Sequence, residues 1–167
     1  MLDAVLLLVI TFTMLFTTGM LCPPIPLQCE FPAGISCYEV KLWANTGKLS
    51  LNIRQGTGKT IVVTGVSCTQ NVSQSYASSS YISYDAIGGS ATTNVTIPSG
   101  SFAFIADPTS ATDGINNVTC TDANGNLPSD TKIIGAPYTG RIYVRYTEMD
   151  TNLTKTTTGT FTVRYEA

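Results

Sequence analysis

Few side chains in this sequence could do chemistry, and most of them lack a partner of the right type. The chain has no histidine, which excludes Ser-His-Asp and Cys-His catalysis together with the commonest transition-metal ligand. Glu148 and Asp150 lie two positions apart, so on a strand they would share one face as the nearest approach to an acid-base pair. Such surface pairs are usually solvated. The sequence therefore predicts that the protein is not an enzyme.

Two short motifs look like ligand-binding loops but depart from them at decisive positions. Residues 56–60 (GTGKT) match the end of a phosphate-binding loop, yet Ile53 replaces its first glycine and a strand-forming sequence follows. Residues 122–133 begin like a calcium loop, but Leu127 and Ile133 stand where glycine and glutamate are needed. We interpret the first as a hairpin turn and the second as a solvated loop, with a weak calcium site as the alternative. No metal or cofactor is expected.

The five cysteines indicate the compartment rather than a reaction. They form no CxxC pair and have no histidine base, and in a chain with 12% charged residues they favour disulfides in an oxidising exterior. Cys68 and Cys120 occupy matching contexts (TGVSCT and NNVTCT), which favours pairing them. Cys29 with Cys37 would then close a short loop and leave Cys22 odd. Since four cysteines allow three pairings, the connectivity stays open.

The low charge also bears on partners and on attached sugars. With 9 Lys+Arg against 11 Asp+Glu, the chain has no basic face for phosphates, so nucleic acid is excluded as a partner. A surface so poor in charge needs hydroxyls, amides or sugars to hydrate it. The N-glycosylation candidates are Asn71, Asn94, Asn117 and Asn152. N-glycans on at least two of these asparagines are a hypothesis, and they are the only attached groups expected.

The element predicted at the start of the chain is a hydrophobic helix. Residues 4–21 carry no charge, and 18 residues at 1.5 Å each would span about 27 Å, just enough to cross a bilayer core. Apolar side chains surround the whole circumference, so this helix belongs in lipid or among other helices. Prolines within residues 23–26 would end it. The positions assigned to a polymer core are Leu2, Val5, Leu6, Leu8, Val9, Phe12, Leu15 and Phe16.

Beyond this segment the pattern changes to strands. Period-2 alternation recurs between turn residues, which predicts an antiparallel Ig-like β-sandwich and an α+β fold class for the whole chain. The division is a hydrophobic N-terminal helix over 1–22, a Pro/Cys-rich hinge and loop over 23–40, and a β-sandwich over 41–167. The clearest predicted strands are 48–54, 60–66, 141–146 and 159–165, and weaker ones are 80–84, 93–97, 102–106 and 118–121.

One stretch of sequence resembles a known family. Residues 29–37 (CEFPAGISC), followed by 47–51 (GKLSL), 55–58 (QGTG) and 63–68 (VTGVSC), resemble archaeal type IV pilin-like proteins of the class III signal-peptide group. The resemblance implies a precursor held in the membrane and cleaved, whose mature helices pack at the axis of an extracellular filament with β domains outside. The implied partners are further copies of the chain, the membrane before assembly, and a cell or surface glycan receptor for adhesion.

The function expected from these observations is therefore a structural subunit of a pilus-like filament at the cell surface. Two other functions stay open. One is an archaellin-like subunit of a motility filament, which shares the assembly principle. The other is a membrane-anchored surface domain that remains monomeric and binds a glycan or another partner.

Overall fold

In the computed structural model, the parts of the chain that can be described, residues 27–76 and 94–167, are built almost entirely of strands. The elements are β1 (Gln28–Glu30), β2 (Ile35–Trp43), β3 (Leu49–Gln55), β4 (Ile61–Thr69), β5 (Val95–Ile97), β6 (Phe102–Ala106), α1 (Asp113–Asn116), β7 (Cys120–Thr121), β8 (Pro137–Glu148) and β9 (Leu153–Glu166). Within these ranges no helix is long and apolar enough to cross a membrane.

β8 and β9 form a hairpin, whereas the hairpin predicted at residues 56–60 is wrong: β3 pairs with β2 and β6, and β4 lies between β5 and β8. In β3, Leu49, Leu51 and Ile53 are fully or almost fully buried because alternate side chains of a strand point to the same side. The β8–β9 hairpin is the most extensive pairing, running from Pro137 opposite Arg164 to Glu148 opposite Leu153. Most of the fully buried apolar side chains belong to β3, β4, β8 and β9.

All nine strands belong to one sheet that curls until it is nearly closed. Its order is β5-β4-β8-β9-β2-β3-β6, with β1 added to β9 and β7 added to β4. The two terminal strands, β5 and β6, follow each other in the chain and lie in contact without forming a ladder. On the other side, β2 joins β9 through only two parallel residue pairs, at Leu42 and Trp43. The result is barrel-like.

The predicted fold class, α+β with an Ig-like sandwich, is therefore wrong for the described chain. Its longest helix is the four-residue α1, and the strands form one continuous, nearly closed sheet rather than two packed sheets. Short alternating strands with turns between them occur in both architectures, because each buries one face of every strand. The hydrophobic helix predicted over residues 1–22 lies outside the described residues, as does the weak strand 80–84.

The hinge and loop predicted over residues 23–40 also need correction. From residue 28 onward this segment contains β1 and the first six residues of β2. A bulge between Cys37 and Glu39 shifts the register of β2 against β3. Because a bulge breaks the period of two, the alternation that identifies strands is interrupted there.

A glycine in β9 explains how the short β1 is held. A Cβ at Gly159 would lie 2.6–2.7 Å from three ring atoms of Phe31, so the ring packs directly onto the glycine backbone. Phe31 follows β1, whose three residues pair with Thr160, Phe161 and Thr162. Only glycine leaves room for this contact. The entry of the chain into the barrel is thus fixed by packing as well as by backbone hydrogen bonds.

Candidate functional site

The two acids considered for catalysis lie in a charge cluster at one end of the barrel. Glu148 ends β8 and is 5% exposed, and both its carboxylate oxygens are engaged. Oε1 accepts a hydrogen bond from Lys155, while Oε2 accepts from Lys59 at 3.3 Å and from Thr151 at 3.0 Å. Asp150 is more exposed and binds the same Lys59 at 3.1 Å. The pair is therefore divided between a buried and a surface position.

These contacts set the protonation of the cluster. The hydrogen bond from Lys155, assisted by Thr151 and Lys59, outweighs desolvation and lowers the pKa of Glu148 from 4.5 to about 2. Asp150 and Glu148 in turn raise the pKa of Lys59 above 10.5. A carboxylate that stays ionised and two occupied lysines do not match the pKa near neutrality that a general acid or base needs. The ion pairs of this cluster join the β3–β4 link to β8 and β9 at this end of the barrel.

The GTGKT motif links β3 to β4, which do not pair with each other, so it is not the hairpin turn that the sequence predicted; it is held by a buried glutamine. Gln55 is fully buried and donates from Nε2 to the carbonyl oxygens of Lys59 and Ile97, at 2.7 and 2.9 Å. Its Oε1 accepts from the amide and the hydroxyl of Thr57, at 3.0 and 2.9 Å. Gln55 thus joins the end of β3 to β5 across the gap in the barrel. Gly58, with φ +83°, allows the chain to turn within this link.

The calcium-like loop is stabilised by its own backbone. Oδ1 of Asp122 accepts hydrogen bonds from the amides of Asn124 and Asn126, at 2.8 and 2.9 Å. The bond from Asn126 is the main reason why the pKa of Asp122 is lowered. Across the described residues, no three His, Cys, Asp or Glu side chains converge in a way that could hold a metal ion.

Two disulfides are present, Cys29–Cys37 and Cys68–Cys120, and they are the pairs that the sequence contexts favoured. The first connects β1 to β2, which share no ladder. The second joins directly paired positions of the parallel strands β4 and β7 inside the core. Cys22 lies outside the described residues.

The inner disulfide lies beside the most buried tyrosine of the domain. The hydroxyl of Tyr138 donates to the carbonyl oxygen of Thr121 at 2.8 Å and lies 3.8 Å from Sγ of Cys68. Its ring contacts Phe161 and Tyr165 at centroid distances of 5.4 and 5.9 Å. Burial raises the pKa of Tyr138 strongly, so this hydroxyl remains protonated. The sequence offered no signal for this cluster, because its members are distant in the chain.

The four sequons lie at different depths on the surface. Asn117 and Asn152 are exposed, the first after α1 and the second in the β8–β9 turn with φ +54°. Asn71 and Asn94 are half-buried, and Oδ1 of Asn71 accepts a hydrogen bond from the amide of Ser73 at 2.9 Å. The exposed pair is the more accessible to a glycosylating enzyme. N-glycosylation remains a prediction for all four.

Large apolar side chains are exposed where the described chain begins. Leu27, Ile133 and Ile134 are 68%, 80% and 63% exposed. Leu27 precedes β1 and lines a shallow groove that also contains Glu166, the last residue of β9. Ile134 precedes Gly135, whose amide donates to the carbonyl oxygen of Tyr165 at 2.8 Å. We call these three residues the apolar end; they flank the C-terminal end of β9.

The residues assigned to a polymer core, from Leu2 to Phe16, all lie outside the described residues. What the structure adds is the location of their attachment, because the chain from residue 26 enters the barrel at Leu27, within the apolar end. Comparison with known proteins gives no family assignment: no family model, no curated protein and no solved structure matches this chain. The functional conclusion therefore rests on the residues and contacts described above.

Proposed function

We propose that this protein is a structural subunit, a pilin, of an archaeal type IV pilus-like extracellular filament that serves adhesion and surface contact. The observation that carries the proposal is the exposure of large apolar side chains around the C-terminal end of β9, where the described chain begins. The uncharged residues 4–21 connect to the barrel at the apolar end, where Leu27, Ile133 and Ile134 are exposed. A domain that works alone in water has no need for both an apolar segment of this length and these exposed side chains.

The physical argument for assembly follows from this surface. Burying a large apolar side chain is worth about 1.5 to 3 kcal/mol, so an apolar segment of this length strongly favours any arrangement that removes it from water. A contact between two different surfaces of identical subunits, repeated without closing, generates a helical filament. The apolar segment of one copy packed against the apolar end of another is such a contact.

The barrel itself suits the outside of a filament. Its described residues form two disulfides and the ion-pair cluster around Glu148. The outer face of β9 carries exposed threonines at alternating positions. These features favour stability and hydration outside the cell, where disulfides persist. We assign no reaction to it.

The experiment measures filament yield in shed extracellular material by electron cryo-microscopy. Replacing both Ile133 and Ile134 with Asp leaves the core intact because both side chains are exposed, and we expect it to reduce filaments strongly. Leu8→Lys is expected to abolish them, since a buried unpaired charge is costly. The controls are Leu8→Ile and Met149→Asp; Met149 is equally exposed but lies in the turn after β8.

The alternative functions give different outcomes in the same experiment. Normal filament yield from both the Ile133/Ile134 variant and Leu8→Lys would contradict the proposal. Protein found only in membrane vesicles would favour the anchored monomeric domain. Filaments that rotate and propel cells would identify an archaellin-like subunit instead, and cell tracking distinguishes the two filaments.

A further inference from the structure

The outer surface of β2, β3 and β6 exposes three aromatic side chains, which we call the aromatic face. Tyr38, Phe102 and Phe104 are 66%, 61% and 38% exposed. The rings of Tyr38 and Phe102 are stacked, with centroids 5.3 Å apart and planes within 13° of each other. The edges and outer faces of flat stacked rings offer contact area at little cost in side-chain entropy, which is typical of binding surfaces.

Polar residues lie between these rings in two rows across the strands. Ser36, Arg54 and Phe102 occupy paired positions on β2, β3 and β6, and the next row contains Glu39, Asn52 and Phe104. The side chain of Asn52 faces this surface because its neighbours on β3, Leu51 and Ile53, are in the core. The surface is therefore a mixture of apolar rings and hydrogen-bonding groups.

Arg54 supplies a positive charge that the described residues do not neutralise. Its Nε donates to the carbonyl oxygen of Gly100 at 3.3 Å, and it forms no ion pair with any described acid. The nearby acid in the next row, Glu39, is already bound to Lys41 at 2.9 Å. The terminal amino groups of the guanidinium therefore remain available for a planar, bidentate acceptor such as a carboxylate.

A cleft adjoins this arginine. It has a volume of about 340 Å³ and is lined by Arg54, Ser36 and the backbones of Gly34, Gly56 and Gly100. A Cβ at Gly56 or Gly100 would meet nothing within 4 Å, so the glycine backbones leave the cleft open. The volume is at the lower end of the range for small-molecule sites, about 300 to 1,000 Å³.

Asn52 belongs to the second row but is buried beneath the aromatic face. The residue is 4% exposed, and its Oδ1 has no hydrogen-bond donor among the described residues. A buried amide oxygen left without a donor costs about 1 to 3 kcal/mol. This oxygen has almost no exposed area, so the groups that a surface ligand can contact are Arg54, Ser36 and the exposed rings.

We infer that the aromatic face and the Arg54 cleft form a binding site for a carboxylated sugar, such as a uronic acid unit of a polysaccharide. The apolar face of the sugar ring would lie against Tyr38 or Phe102, and its carboxylate would bind Arg54. Single-stranded nucleic acid also stacks on aromatic rings, but it needs a positive groove that follows its backbone, and this chain has a net charge of -2. The inference specifies the surface contact in the proposed function, yet it concerns the barrel alone.

The test is isothermal titration of the full-length protein, as filaments or in nonionic detergent, at physiological ionic strength. The probe is the galacturonic acid trisaccharide, and the matched control ligand is its methyl ester, which keeps the rings and removes the charge. We expect saturable binding of the acid and about tenfold weaker binding of the ester, as expected for losing a charge-assisted hydrogen bond.

The variants assign the effect to this surface. Arg54→Gln should reduce binding of the acid to the level of the ester, and Phe102→Ala should weaken binding of both; both residues are exposed, so the fold is retained and thermal unfolding verifies it. Lys132→Gln removes the same charge elsewhere and should have no effect. Absence of binding, equal binding of acid and ester, or an equal loss in Lys132→Gln would overturn the inference. Ligand binding is measured independently of polymerisation. The binding site can therefore be disproved while the filament proposal stands, and the filament proposal can be disproved while the binding site stands.

Discussion

At the scale of single residues, the strongest electrostatic contacts of this protein stabilise the fold. Glu148 is buried at the end of β8, and the more exposed Lys155 of β9 and Lys59 of the β3–β4 link both bind its carboxylate. A buried ionised carboxylate is tolerated only when charges and donors surround it. Here two lysines and Thr151 meet that requirement.

This cluster gives a pH-dependent stability. Because the pKa of Glu148 falls from 4.5 to about 2 on folding, its ionised form adds stability above about pH 4.5, and this contribution is lost as the pH falls towards 2. Glu148→Gln should therefore lower the free energy of unfolding at neutral pH, and the difference from the wild type should shrink between pH 4.5 and 2. Urea unfolding at a series of pH values measures it.

The matched control for this prediction is Glu30→Gln, an exposed glutamate of β1. It should change stability little at any pH, as most surface substitutions do. A wild-type advantage over Glu148→Gln that stays constant from neutral pH down to pH 2 would show that the carboxylate charge is not the stabilising group.

Residue contexts predicted some of these features and not others. The matching surroundings of Cys68 and Cys120 are local, so a sequence pattern could indicate the pair. The contact between Lys59 and Glu148 spans 89 positions and follows only from the folded barrel. The same holds for the hydroxyl of Tyr138 and its acceptor on Thr121, which no local pattern connects.

At the scale of elements, regular alternation was a good guide and irregular strands were not. The ends of β3 and β4 lie within one to three residues of the predicted 48–54 and 60–66. The pattern succeeded because Leu49, Leu51 and Ile53 alternate with polar residues along β3. In β2 the bulge after Cys37 breaks the period of two, so the sequence lacks the regular alternation that predicts a strand. β1 has only three residues, too few for any pattern.

The two disulfides should contribute unequally to the stability of these elements. The chain-entropy model gives about 4 kcal/mol for Cys68–Cys120, which closes 52 residues, and about 2.5 kcal/mol for Cys29–Cys37, which closes 8. Replacing both cysteines of each pair by Ala, followed by urea unfolding, measures the two losses. The loss for Cys68–Cys120 should be larger still, since its sulfurs are in the core.

An equal loss for the two double variants would contradict this ranking. It would mean that residual structure in the unfolded chain, rather than loop length, sets the effect. Hydrogen exchange of the β1 amides separates the two cases, because only the loss of Cys29–Cys37 should expose β1 selectively.

At the scale of the whole molecule, the difference between a sandwich and a barrel depends on how the sheet closes. Strand number, burial pattern and turn residues are alike in both, so the sequence could not distinguish them. Closure depends on β5 and β6 approaching each other and on Gln55, which bonds to Ile97 from the end of β3. Gln55 follows Leu49, Leu51 and Ile53 on the core side of β3, and its residue type alone gave no sign of this role.

Gln55→Leu should therefore weaken the closure of the barrel. The leucine has a similar size but leaves the carbonyl oxygens of Ile97 and Lys59 without their donor, at a cost of about 1 to 3 kcal/mol for each buried group. We expect a loss of at least about 2 kcal/mol in urea unfolding and faster hydrogen exchange in β5. The control is Gln70→Leu, whose Nε2 makes one exposed bond to Thr139; equal losses would assign the effect to polarity alone.

The Cys29–Cys37 bridge also determines how the domain responds to mechanical tension. A pull on the chain preceding Leu27 reaches Cys29 after two residues and passes through the sulfurs to β2. The eight-position loop between the cysteines then stays slack, and β1 does not have to resist peeling with its three backbone pairs. The force is instead carried into β2, which pairs with β3 at seven positions. The bridge thus makes a three-residue strand a durable attachment point.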